Sequence, residues 1–214
     1  MNNQPAISLR RLVRDPAGGS AVEFAILAPC VMLTLLAIVE IGFISAGEVL
    51  LGSGARAAAR FARTGQVINN ETRIESIRRI VTSFVCPKAV LAPPHDAFCL
   101  WDQGSARLSE DGAVSPLQIR TRVYADARNI SLAEPYSDTN PLNGAYDPGE
   151  TFTDINGNGQ WDDDMARSGA GGAGDFVLYE FEMAQSLASP IFQVLTGEWM
   201  TIHRASISVQ NEKF

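Results

Sequence analysis

Between Glu23 and Glu40 the sequence runs for 16 residues without a charge. With its flanks the apolar block extends from Ala21 to Ala46 and reads AVEFAILAPCVMLTLLAIVEIGFISA. A membrane-spanning helix needs roughly 20 such residues. Lipid offers no partners for free backbone groups, so the block predicts a helix, not a strand or loop. A chain carrying it either crosses a membrane or loses the block by cleavage. Pro29 removes one backbone donor and predicts a local kink. Arg10, Arg11 and Arg14 precede the block and favour a cytoplasmic N-terminus with the remainder exported.

A carboxylate at the start of a membrane segment is costly. Glu23 sits there, in the run Gly18-Gly19-Ser20-Ala21-Val22-Glu23-Phe24. This run resembles a type IV prepilin cleavage site, where a peptidase cuts after a glycine and a glutamate follows as the fifth mature residue. A cut after Gly18 makes Gly19 the new N-terminus and Glu23 the fifth residue. The new α-amine and a glutamate, in one subunit or in neighbours, then pair in a medium of low dielectric. Glu40 lies about 25 Å further along a straight helix, at 1.5 Å per residue. For Glu40 the expectation is solvation at the membrane interface.

Four blocks recur in order. They are GGSAVEFAILAP (Gly18 to Pro29), ARAAARFARTGQ (Ala55 to Gln66), the pair Cys86 and Cys99, and the tail ASISVQNEKF (Ala205 to Phe214). Together they resemble the TadE-like pseudopilin family of the tight-adherence (Tad/Flp) pilus system. In the tail, Lys213 stands where the family often has proline. The resemblance implies a minor pseudopilin-like subunit or assembly factor without catalytic residues. Its implied partners are the inner membrane, other pilins, the Tad assembly machinery and a prepilin peptidase. The stretch from about Trp101 to Gly174 is longer than the family's usual middle.

After the membrane block, Glu48 to Ala62 continues in helix formers. Ala55, Ala58, Ala59 and Ala62 share one face, which lets another helix approach closely. Gly65 is the expected stop. A second helix is expected after Asn70 as N-cap, with Ile74, Ile77, Val81 and Phe84 on its apolar face and Pro87 beyond its end. Alternation predicts strands at Leu117 to Tyr124, Phe176 to Met183 and Thr201 to Gln210. Ser168 to Gly174 reads as a flexible glycine-rich connector. The expected fold is α+β: a long N-terminal transmembrane, pilin-like helix, then a small periplasmic domain of helix plus antiparallel sheet with an inserted acidic loop. The corresponding divisions are 1–18 as cytoplasmic leader, 19–66 as the membrane-spanning and extended helix, and 67–214 as the periplasmic domain.

Of the three cysteines, Cys30 falls inside the apolar block and reads as an inert small hydrophobe. Cys86 and Cys99 face an oxidising compartment in this topology, where a disulfide closing a short loop adds about 3 kcal/mol. Two thiols and two distant histidines make a poor metal set.

From Asn129 to Ala166 there are eight acidic residues and no Lys or Arg. Asp154-Ile155-Asn156-Gly157-Asn158-Gly159-Gln160-Trp161-Asp162 fits the first nine positions of an EF-hand-type loop. Asp154, Asn156, Asn158 and Asp162 supply side-chain oxygens, Gln160 its carbonyl, and Gly159 the turn. Met165 stands at the twelfth position, where a bidentate glutamate belongs; Asp163, Asp164 or Glu150 are the candidate substitutes. An imperfect upstream copy runs through Asp138, Asn140, Asn143, Gly144, Tyr146, Asp147, Gly149 and Glu150, interrupted at Pro141-Leu142. Residues 134–166 therefore read as a calcium-binding insertion.

The net charge of -7 gives no general attraction to nucleic acid. The only histidines, His95 and His203, fit no Ser/His/Asp or zinc arrangement, and LGSGAR at Leu51 to Arg56 lacks a P-loop lysine. No enzyme is expected. The competing reading is a secreted calcium-binding protein released by signal peptidase after Ala46. Against it, Ile44 is bulky for the −3 position.

Overall fold

The computed structural model describes residues 16–66, 68, 71–86, 99–100, 106–110, 112–139, 141–187, 189, 193–194 and 196–212. Arg10, Arg11, Arg14, Asn70, Pro87, His95, Trp101, Asn140, Lys213 and Phe214 lie outside the described residues.

Helix α1 (Pro16–Arg63) is one 48-residue element that continues through Pro29. Its last turn carries Arg60 and Arg63, which complement the negative end of the helix dipole. Gly65 then adopts φ +64, a conformation glycine takes without a Cβ penalty, and the helix stops where expected. Helix α2 (Arg73–Val85) starts at a Thr72 N-cap. The Thr72 hydroxyl accepts the Glu75 amide at 3.2 Å, and the Glu75 carboxylate accepts the Thr72 amide at 2.6 Å. This reciprocal box satisfies two orphan donors at once, which is why the cap is Thr72 and not Asn70. Ile77, Val81 and Val85 form the buried stripe. Val85 takes the deep position expected for Phe84.

A short hairpin pairs β1 (Arg107–Leu108) with β2 (Val114–Ser115). The main sheet is antiparallel and three-stranded, in the order β3 (Leu117–Tyr124), β4 (Phe176–Ser186), β5 (Met200–Gln210). All three predicted strands are present. Val123 opposes Val177, and Phe181 opposes Ala205. The inward side chains of the sheet (Leu117, Ile119, Val177, Tyr179, Phe181 and Met183 among them) join Leu51, Ala55, Ala58 and Ala62 of α1 and the α2 stripe in one core. Each fully buried aliphatic contributes about 1.5–3 kcal/mol relative to exposure. Gly54 gives α2 its close approach: a Cβ there would stand 3.2 Å from the Val81 Cα. The small-residue face of α1 is therefore covered within the chain's own core.

By compactness the chain divides into two units, Met1–Ile44 with Leu187–Glu198, and Ser45–Ser186 with Trp199–Phe214. The core just described belongs to the second.

Ser168 to Gly174 is not the loose connector expected. The Arg73 guanidinium donates to the Ala170 carbonyl at 2.9 Å, and the Asn211 amide donates to the Ala170 and Gly172 carbonyls at 3.1 and 2.9 Å. Gly169 N–H donates to the Thr121 hydroxyl at 3.2 Å. Glycine serves close packing here: a Cβ at Gly171, where φ is +68, would meet Val177 at 2.8 Å. Cys86 and Cys99 are joined by a disulfide with Cα atoms 4.2 Å apart. Next to it, Leu100 N–H donates to the Val85 carbonyl at 3.0 Å and closes the end of α2.

Candidate functional site

Two features remain outside the packing of an ordinary small domain. The first is the outer half of α1. Val22, Phe24, Ile26, Leu27, Val31, Met32, Leu35, Ile38 and Val39 all expose most or much of their surface. Only 6% of the apolar window is buried, and it is the one helix among the described residues long and apolar enough to cross a membrane. An apolar cylinder exposed on every side is stable only in lipid or among other helices. Gly18 and Gly19 fall in the first turn of this helix, and Glu23 and Phe24 lie on its exposed surface. Cys30 is exposed and free, as its position in the apolar block requires.

Glu40 departs from expectation. It is 2% exposed, not solvated, and its Oε2 accepts the Ser189 backbone N–H at 2.8 Å. Ser189, between β4 and β5 in sequence, thus lies against α1 within the first compact unit.

The second feature is the acidic insertion, which is ordered and internally repeated. Glu134-Pro135-Tyr136-Ser137-Asp138 corresponds to Glu150-Thr151-Phe152-Thr153-Asp154. The two copies meet antiparallel at a Tyr136–Phe152 bridge. Ser137 N–H donates to the Thr151 carbonyl and Thr153 N–H to the Pro135 carbonyl, both at 2.8 Å. Tyr136, Tyr146, Phe152 and Trp161 cluster beside the bridge, with Tyr146 stacked on Trp161 at 4.5 Å. These rings give the insertion a small apolar centre of its own.

Each loop gathers its oxygens around a turn. In the second, Asp154 accepts the amides of Gly157, Asn158 and Gly159 at 2.6, 3.2 and 2.8 Å. The side-chain amides of Asn156 and Asn158 both donate to Asp162 Oδ2, at 2.7 and 2.6 Å. The structure thus brings Asp154, Asn156, Asn158 and Asp162 together; the Gln160 side chain stays exposed, leaving its carbonyl as the donor atom of interest. In the first loop Asp138 Oδ2 accepts the Gly144 amide at 2.7 Å, and Asn143 donates to Asp147 at 2.9 Å. Gly144 and Gly159 adopt φ +76 and +80 at matching turns. The other Asp138 oxygen, Oδ1, is buried and has no hydrogen-bond partner among the described residues.

The two glutamates take other places than the loop spacing suggests. Glu150 was expected to reach the second loop, but it holds the first, accepting the Thr139 and Asp147 amides at 2.7 and 3.1 Å. Glu134, 1% exposed, takes the equivalent place on the second loop. It accepts the Ile155, Asn156 and Asp162 amides at 2.7, 3.1 and 3.3 Å. Its carbonyl also accepts Trp161 Nε1–H at 2.9 Å. Spacing within the loop does not reveal Glu134, but the repeated Glu-x-aromatic-x-Asp pattern does. Asp164, a candidate substitute, has its Oδ2 paired with Arg122 and accepting the Tyr124 hydroxyl at 3.1 Å. Burial raises the Tyr124 phenol above its ordinary range and keeps it a donor. Among the described residues no three His, Cys, Asp or Glu converge on one point. Both loops mix carboxylates with asparagine oxygens, the donor set of hard cations.

Residues 18–60, about a fifth of the chain, match the family model described as TadE-like protein. No curated protein and no solved structure matches the chain.

Proposed function

We propose that this chain, a TadE-like protein through residues 18–60, is a minor pseudopilin-like subunit or assembly factor in Tad/Flp pilus biogenesis, supporting surface attachment. The family is pilus-associated and is not a known enzyme family. The observation that carries the reading is the lipid-ready outer half of α1 with Gly18-Gly19 and Glu23 at its start. In this account a prepilin peptidase cuts after Gly18 on the cytoplasmic side of the inner membrane, and the C-terminal domain lies in the periplasm. Glu23 then neutralises an α-amine while the helix moves from lipid to a bundle of pilin helices. Glu23→Ala is expected to leave processing intact and to lower the number of pili per cell. Wild-type pilus counts in that strain would contradict the role given to Glu23.

A second reading concerns the insertion. The two matched loops, with a buried, unsatisfied Asp138 oxygen in the first, support calcium binding at Asp154, Asn156, Asn158, Gln160 and Asp162, and at the loop of Asp147 and Glu150. Calcium would supply the charge that brings these carboxylates together without repulsion. Asp154→Ala is expected to weaken calcium affinity in calorimetry by at least tenfold, about 1.4 kcal/mol. An unchanged isotherm would remove the second loop from consideration. The competing secreted form, released after Ala46, is supported by the insertion alone and leaves the family match at residues 18–60 without a purpose.

A further inference from the structure

We infer that Ser189 and Val194, in the connection between β4 and β5, lie at the bilayer surface beside the point where α1 leaves the membrane. The inference depends on reading α1 as a membrane span. A span of roughly 20 residues beginning at Val22 ends near Ile41, so Glu40 marks the boundary of the hydrocarbon. The hydrogen bond from Ser189 N–H to Glu40 Oε2, 2.8 Å long, ties the connection to the helix at that level. Both partners are buried, at 2% and 7% exposure. Glu40 thus meets a backbone donor where an open carboxylate would face the acyl boundary.

The composition of the connection fits that depth. Leu187 to Glu198 reads LASPIFQVLTGE, whose only charge is the final glutamate. A connection between strands of a soluble domain is normally polar. Here Val194 is 80% exposed. The residue that follows the connection is Trp199, also exposed, and tryptophan is enriched at the headgroup level, where its ring is half in lipid and its N–H in water. The partner is therefore the headgroup and upper acyl region of the bilayer, continuous with the lipid around α1.

The test uses the full chain with Cys30→Ala, in phosphatidylethanolamine/phosphatidylglycerol vesicles. One new cysteine at a time carries an environment-sensitive fluorophore, as Val194→Cys, Ile26→Cys or Leu108→Cys. Leu108 is a comparably exposed apolar residue in the second unit, 72% exposed, and controls for general stickiness. Bromines are placed near the headgroup or near the acyl ends. At position 194 the expected result is blue-shifted emission and a greater loss of fluorescence to shallow than to deep bromines. At position 26 deep bromines quench more, and at position 108 neither does. Water-like emission at 194 with deep quenching at 26 would overturn the inference and leave the span intact. Water-like emission at 26 would overturn the span, and this inference with it. A disulfide-linked dimer of unlabelled Val194→Cys, without lipid quenching of the label, would put a second copy of the chain on this surface instead.

Discussion

At position 203 a histidine is held neutral. His203 is buried against Gln185, its Nε2 2.8 Å from the amide oxygen, and a Cβ at Gly47 would collide with this pair. Burial lowers its pKa below the ordinary 6.5, with Glu48 a smaller opposing influence. Above pH 6.5 both folded and unfolded imidazoles are neutral and the site's stability is fully present. As the pH falls below that value the unfolded chain takes the proton first. Stability is then lost until the folded imidazole also titrates. His203→Gln removes this dependence. The difference in melting temperature between wild type and variant is expected to shift against the wild type as the pH is lowered through 6.5. A difference independent of pH would show that His203 does not titrate in this way. Sequence alone showed only that His203 fits no catalytic or zinc arrangement, because a lone histidine on a strand gives no sign of which face or partner it has.

At the scale of elements, the junction of α1 and α2 depends on Gly54. The Val81 Cα, Cγ1 and carbonyl lie 3.2 to 3.3 Å from where a Cβ would stand. Alanine gains about 1 kcal/mol of helix propensity over glycine, which offsets the small shift it demands. Leucine has no room, and Gly54→Leu is expected to cost about 1–3 kcal/mol in thermal or denaturant unfolding. A variant as stable as wild type would mean that the helices can separate freely at this point. The elements themselves were legible: β3, β4 and β5 announce themselves by strict alternation, and α1 by its length and apolar content. What pattern could not supply was long-range pairing. The Glu134 and Glu150 side chains each close a loop that a local count assigns differently. Glu40 is buried by a segment 149 residues away. The glycine-rich run looked loose because its order comes from Arg73, Thr121 and Asn211, which are distant in sequence.

For the whole molecule, one helix serves two environments. From Leu51 to Ala62 its small and apolar face completes a core, whereas between Glu23 and Glu40 its exposed surface carries no charge. The account rests on the outer helix being a pilin-like anchor that is processed at Gly18. The direct measurement is the N-terminal residue of the membrane-associated chain purified from its own host. A mature chain beginning at Gly19, with Glu23 fifth, is the predicted result. A chain beginning beyond Ala46 would contradict the anchor and favour the secreted calcium-binding form, and an intact Met1 would contradict processing while leaving an uncleaved membrane anchor.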